Sequence, residues 1–319
     1  MTATQPLDGV DRELDPALVP AAPLDRGSRR PRRIAGPRSW GLGPWHWIGL
    51  AMLTVVVGYS LLYPLLPSYD PYGQDLGRIL LTPGADPAHL FGTDSLGRDT
   101  ASRLALAGRV TVGVVVVIIV VNALIGMIVG TVAGYFGGRL DNAMMALADV
   151  KLALPMILVL TALAATFGPS IKLMVIVLAV TYWVGYARVA RTSATSLRQR
   201  DFVLAPALQG ARTARILRVH VLPTVFSQML ILASTDVGAV ILLMSSFDYL
   251  GLGVQPPVPS WGSMIGESQK YLRQNPAQAI VPGVAIFLAV AGMNLVSQRF
   301  TSERAAARRP SRRARGRKE

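Results

Sequence analysis

Long apolar runs separated by shorter polar stretches set the pattern of the chain from residue 47 onward. A helix needs about 20 mostly apolar residues to cross the hydrocarbon core of a bilayer. Six runs come close to that length: Trp47 to Leu66, Val110 to Tyr135, Ala146 to Phe167, Ile171 to Val189, Val225 to Ser246 and Ile280 to Val296. The pattern predicts an all-α membrane protein of six transmembrane helices. Trp45, Trp47 and Tyr63 fall at interface positions of the first run.

The stretch between the fourth and fifth runs, Asp201 to Thr224, is too polar for lipid, yet it is patterned. Phe202, Leu204, Ala205 and Leu208 give a short helix an apolar stripe at helical spacing. Gly210 then stops it in the manner of a C-terminal cap. A second short helix is expected from Arg212, with Arg212, Arg215 and Arg218 at three-residue spacing, closed by Pro223. A helix–Gly–helix that is basic and partly apolar suits either a docking surface or an amphipathic loop lying on lipid headgroups. The residues alone leave both open.

Composition agrees with the membrane reading: 51% of residues are hydrophobic and the mean hydropathy is +0.42. The net charge of +14 comes from basic residues in the tails and the Asp201–Thr224 stretch, beside apolar spans. Such flanks are what membrane topology requires. With no interleaved aromatic–basic platform, nucleic acid is not an expected partner. The chain has no cysteine, and His46, His89 and His220 lack ligand-like spacing, so neither a metal site nor a cofactor is expected. Residues 1–45 read as a disordered tail. Residues 46–108 hold the first span and a polar segment, 109–298 a core of five spans, and 299–319 a basic tail. The first run is too long for a signal peptide and no small-residue cleavage site follows it, so it reads as an uncleaved anchor.

Placing both termini in the cytoplasm puts Arg188, Arg191, Arg198, Arg200, Arg212, Arg215 and Arg218 inside, against the single acid Asp201. Segments 67–109 and 247–279 then lie outside, the first carrying Asp70, Asp75, Asp86, Asp94 and Asp99. Within the spans, Gly126, Gly130 and Gly134 share one helix face and allow close packing inside the bundle. Asp149 and Lys151 sit near a membrane interface. Asp236 lies well inside the fifth span, a candidate for a substrate path or for pairing across the bundle.

Several motifs resemble the permeases of the dipeptide, oligopeptide and nickel group of bacterial ATP-binding-cassette importers. His89, Gly92, Thr93, Asp94, Gly97, Arg98 and Asp99 match His-x-x-Gly-Thr-Asp-x-x-Gly-Arg-Asp. Bottom-up, these residues are caps, tight turns and a carboxylate-pairing arginine. Ala133 to Asp141 is similar to Ala-Gly-Tyr-x-Gly-Gly-x-x-Asp, and Leu250 to Gly262 to Leu-Gly-Leu-Gly-x-x-x-Pro-x-Pro-x-Trp-Gly. Asp201–Thr224 resembles the cytoplasmic coupling loop, Glu-Ala-Ala-x-x-x-Gly followed by His-x-Leu-Pro. Ala205, Gly210, His220, Leu222 and Pro223 match it, while Leu204 replaces the Glu and Pro206 the second Ala. The group also has Glu where Met244 stands and Ser-Phe where Asp248 and Tyr249 stand, so Met244 joins Asp236 as a candidate substrate-path residue.

The resemblance implies a type I importer permease bundle in the bacterial plasma (inner) membrane. It would pair with a second homologous permease, couple two cytoplasmic ATPase domains and receive solute from an extracytoplasmic binding protein. Coupling would run through Asp201, Phe202, Leu204, Ala205, Pro206, Leu208, Gly210, Arg215, His220 and Pro223. Di- or oligopeptides are the implied solutes, with nickel or another small solute as the alternative. No Walker-type loop is present, so the chain is not expected to hydrolyse ATP, and it has no catalytic residues. A self-contained secondary transporter would more naturally show paired broken helices or several intramembrane ionisable groups. An intramembrane enzyme would need a nucleophile with its base, or a motif such as His-Glu-x-x-His, and neither is found.

Overall fold

The computed structural model describes residues 44–307. The tails expected over 1–45 and 299–319 lie outside it, except that the first helix starts at Pro44 and the last runs to Ala307. The helices are α1 (Pro44–Leu62), α2 (Thr100–Phe136), α3 (Gly138–Leu152), α4 (Met156–Phe167), α5 (Ile171–Thr181), α6 (Trp183–Arg198), α7 (Asp201–Leu208), α8 (Thr213–Ile216), α9 (Leu222–Tyr249), α10 (Trp261–Ser268) and α11 (Ala277–Ala307). Five stretches among the described residues are long and apolar enough to span a membrane: α1, α2, α5 with α6, α8 through α9, and α11.

The third expected span is not one helix. It breaks into α3 and α4, bent by 73°. Pro155 is the cause: it offers no N–H and disfavours helical backbone at Leu154 before it. The prolyl residue stood in the middle of the run, so its position was the signal.

The second span begins ten residues earlier than the apolar run suggests. Asp99 caps α2 by accepting from the Ser102 N–H at 2.7 Å, which lets the polar turn Thr100–Arg103 join the helix. With 37 residues, α2 is about 55 Å long and outreaches the ~30 Å hydrocarbon layer. It is the axis of the bundle, packing against α6, α9 and α1. Its partner α6 seats on the glycine ridge. A Cβ at Gly126, Gly130 or Gly134 would lie 2.1–2.4 Å from atoms of Tyr186, Ala187 or Arg191. The ridge therefore serves contact within the bundle, as expected.

One apolar core joins Ile118 of α2, Leu160 of α4, Met174 and Leu178 of α5, Met244 of α9 and Trp261 of α10, all at most 1% exposed. A second lies toward the other end, built from Tyr186, Ala190, Val203, Ile216, Val221 and Met229. The 67–99 segment is held by aspartate turns: Asp70 accepts from Tyr72 and Gly73, and Asp94 from Leu96 and Arg98. Gly97 has φ +74°, and a Cβ there would stand 1.9 Å from the Asp75 carbonyl oxygen.

Candidate functional site

Two ends of the bundle carry chemistry. At one, α6 hands the chain through an extended Arg200 to α7. Val203 is the anchor, 2% exposed, packed in the second core with Ile216 and Val221. Around it Phe202, Leu204 and Leu208 stand out at 49%, 44% and 88% exposure, with Asp201 and Ala205 also exposed. The expected stripe exists, and it faces away from the bundle. Pro206 sits inside α7 without ending it; the helix runs two residues further.

The stop is a Schellman motif. The Gly210 N–H donates to the Ala207 carbonyl at 3.1 Å, and the Ala211 N–H to the Pro206 carbonyl at 3.0 Å. Gly210 takes φ +80°, the left-handed position such a cap requires.

The second helix differs from expectation. It is not a separate short element closed by Pro223. From Thr213 the chain stays helical into α9, through a wide π turn at Leu217–Val221 where the Leu222 N–H donates to the Leu217 carbonyl. Pro223 has no N–H for the Val219 carbonyl, and the wide turn absorbs that loss one residue ahead of it. Pro223 thus lies in the first turn of α9. Any push on α8 acts directly on a membrane-spanning helix. The ring of His220 lies 6.4 Å from that of Phe202, tying α7 to the π turn. Arg212, Arg215 and Arg218 are exposed and make no ion pair among the described residues.

Beside this surface, Arg191 grips Asp141 through two hydrogen bonds of 2.5 and 2.6 Å, and Arg188 meets Asp149 at 2.7 Å. These pairs strap α3 to α6. They were missed as partners, although Asp141 ends the Ala133–Asp141 motif. Deeper in, Asp236 is half-buried and faces Tyr186 of α6, whose buried hydroxyl makes no hydrogen bond of standard geometry. Met244 is fully buried in the main core. Its neighbours among the described residues are apolar packing partners.

At the opposite end a charged cluster joins distant segments. Arg98 meets Asp94 at 2.6 Å and Glu267 at 3.3 Å; Arg103 meets Glu267 at 2.8 Å and Asp94 at 3.4 Å. His89 meets Asp99 at 3.1 Å. Arg98 does pair with a carboxylate, as its type suggested. Glu267 is the partner no motif indicated. A polar cleft of about 480 Å³ adjoins the cluster, lined by Arg98, Asp248, Tyr249, Gln255, Glu267 and Lys270. Asp248, 2% exposed, accepts from the Val254 N–H at 2.8 Å and so fixes the turn after α9.

Residues 124–302 match the family described as binding-protein-dependent transport system inner membrane components. The chain belongs to this family. It is similar to the nickel transport system permease protein NikC of Escherichia coli (strain K12), 39% identical over 228 residues that cover 72% of this chain and 82% of the relative. The di/tripeptide transport system permease protein DppC of Pseudomonas aeruginosa is 34% identical, covering 78% and 83%. The oligopeptide transport system permease protein OppC of Bacillus subtilis is 31% identical, covering 78% and 81%. The chain is thus an ATP-binding-cassette importer permease of the dipeptide, oligopeptide and nickel group, a multi-pass inner membrane transport subunit. In this permease the family match takes in the end of α2 and everything from α3 through most of α11, including both the exposed α7 and the π turn.

Proposed function

We propose that this permease forms one half of the pathway of an ATP-driven peptide importer. A second homologous permease supplies the other half. Two cytoplasmic ATPase domains dock on Asp201–Thr224 and hydrolyse the ATP, and an extracytoplasmic binding protein delivers the solute. The observation that carries this reading is the exposed apolar set Phe202, Leu204 and Leu208, held on a capped elbow whose far arm is continuous with α9. Three large exposed apolar side chains on one short helix support a protein contact. Closure of an ATPase pair against α7 would rotate α8 and with it α9, switching the pathway between its two faces. Arg215 and its neighbours give the docking surface its charge. Asp236, half-buried beside α6, is the residue on α9 proposed to meet the path.

Di- and oligopeptides are the proposed solutes; nickel or another small solute is the alternative, supported by the identity to the nickel permease. Co-purification tests the assembly. The tagged permease should bring down ATPase subunits and a second permease, and Leu208→Asp should lose the ATPase while keeping the permease. Retention of the ATPase by Leu208→Asp would point to the lipid-surface reading of the loop. Mass spectrometry of solute on the purified partner binding protein then decides between peptide and metal ion.

A further inference from the structure

The helices α1 and α11 meet closely at one end only. A Cβ at Gly49 would lie 2.7 Å from the Leu295 Cβ, and one at Gly292 would lie 3.0 Å from the Gly49 carbonyl oxygen. Toward the side of the 67–99 segment the same two helices part. There a wedge of about 270 Å³ lies between Val55, Val56 and Tyr59 of α1 and Ile280, Val284 and Ala285 of α11. Its deep wall is Val56, Leu104, Ala285 and Trp261, each no more than 8% exposed. Its mouth is Val55, Ile280 and Val284, exposed at 62%, 59% and 48% on two membrane-spanning helices.

The lining offers a ligand no free polar group. The Tyr59 hydroxyl donates to the Ala101 carbonyl at 2.9 Å and the Ser60 hydroxyl to the Val56 carbonyl at 2.8 Å. The Trp261 indole N–H points to the Leu104 carbonyl at 3.4 Å. Water needs two to four polar partners to settle in a cavity, and apolar cavities of about 150 Å³ stay dry and take benzene. This wedge is larger, apolar, and open along the flank of two membrane-spanning helices. Left empty, its walls would forfeit dispersion contacts.

We propose that the wedge between α1 and α11 binds one acyl chain of a membrane phospholipid, inserted from the leaflet on the side of the 67–99 segment. The chain fills the space beside Trp261 and Leu104 and so braces α10, the short helix that carries Glu267. The site requires only that the chain sits in a membrane, so its failure leaves the transport reading untouched.

The assembled transporter in nanodiscs containing a phospholipid with a photoactivatable diazirine on its acyl chain provides the test, with adducts mapped by peptide mass spectrometry. Phe287, 62% exposed, reports contact with bulk lipid. Trp261 and Leu104 report entry into the wedge. Wild-type protein should be labelled at all three. Ala285→Phe, which places a ring in the wedge, should lose label at Trp261 and Leu104 and keep it at Phe287; Ala285→Leu should do so in part. Label at Phe287 alone in the wild type overturns the proposal, as it would if a helix of the second permease filled the wedge. Label at Trp261 that persists in Ala285→Phe overturns it as well. The wild-type arm decides alone if neither variant assembles.

Discussion

Gly210 concentrates the coupling argument in one torsion angle. Its φ of +80° is left-handed, and a Cβ built there would meet no atom within 4 Å. The whole penalty of a side chain is therefore backbone strain, about 1–2 kcal/mol. Gly210→Val should keep normal membrane abundance and pairing with the second permease. It should lose ATPase association, or retain it and lose solute-stimulated hydrolysis, because α7 is re-aimed relative to α8. Pull-down and ATPase assay in reconstituted membranes read this. A second residue, Glu267, shows how burial sets the worth of a charge. Arg103 has 2% side-chain exposure and leans on Glu267, so Glu267→Ala leaves a buried cation with Asp94 as its remaining partner. Breaking fully buried pairs costs about 3–5 kcal/mol; Glu267 is itself 36% exposed and Asp94 survives as a partner, so the loss should fall below that range. Arg78, 51% exposed, also pairs with two aspartates, and exposed pairs are worth about 0–1 kcal/mol. Thermal unfolding of the purified complex should show a clear loss for Glu267→Ala and almost none for Arg78→Ala.

Helix packing gives the next prediction. On the ridge of α2, a side chain at Gly130 would run into the Ala187 carbonyl oxygen at 2.1 Å and the Ala190 Cβ at 2.7 Å. Backbone cannot yield as a flexible side chain can. Gly130→Leu should abolish monodisperse complex in detergent, whereas Gly113→Leu on the same helix, where a Cβ meets nothing, should give wild-type yield. That ridge was legible from the sequence because four-residue spacing of glycine has one geometric meaning on a helix. So were five of the six spans, the cap at Asp99, the Arg98 ion pair and the left-handed Gly210, each of which follows from local chemistry. What local chemistry does not specify was harder to read. Glu267 meets Arg98 and Arg103 from a segment more than 160 positions away, and no spacing rule links them. The fusion of α8 to α9 hid behind Pro223, which ends a helix in most settings but is tolerated in a first turn. The break at Pro155 was the reverse case: strong hydropathy on both sides masked a visible breaker.

At the scale of the molecule, orientation ties these elements to function. The α6–α7–α8 end holds Arg188, Arg191, Arg198, Arg200, Arg212, Arg215 and Arg218, and α3, which also carries Arg139 and Lys151, contributes the acids Asp141 and Asp149 that meet two of them. The opposite end gathers Asp70, Asp75, Asp86, Asp94 and Asp99. An excess of arginine over acids in the loops of one side is the signature of the cytoplasmic face, so the coupling surface is expected there, within reach of ATP. The sequence contains no cysteine, and single introduced thiols report without background. Ser68 and Ser196 are exposed at the two ends and suit the test; Ser193 does not, because it is 8% exposed and hydrogen-bonded to Gln228. Ser68→Cys should react with a membrane-impermeant maleimide in cells whose inner membrane is intact. Ser196→Cys should react only after that membrane is permeabilised, and more readily in membranes lacking the ATPase than in the assembled transporter. A reversed pattern would place α7 outside. The exposed Phe202, Leu204 and Leu208 would then have to meet an extracytoplasmic partner, and the coupling assignment would fall with the orientation.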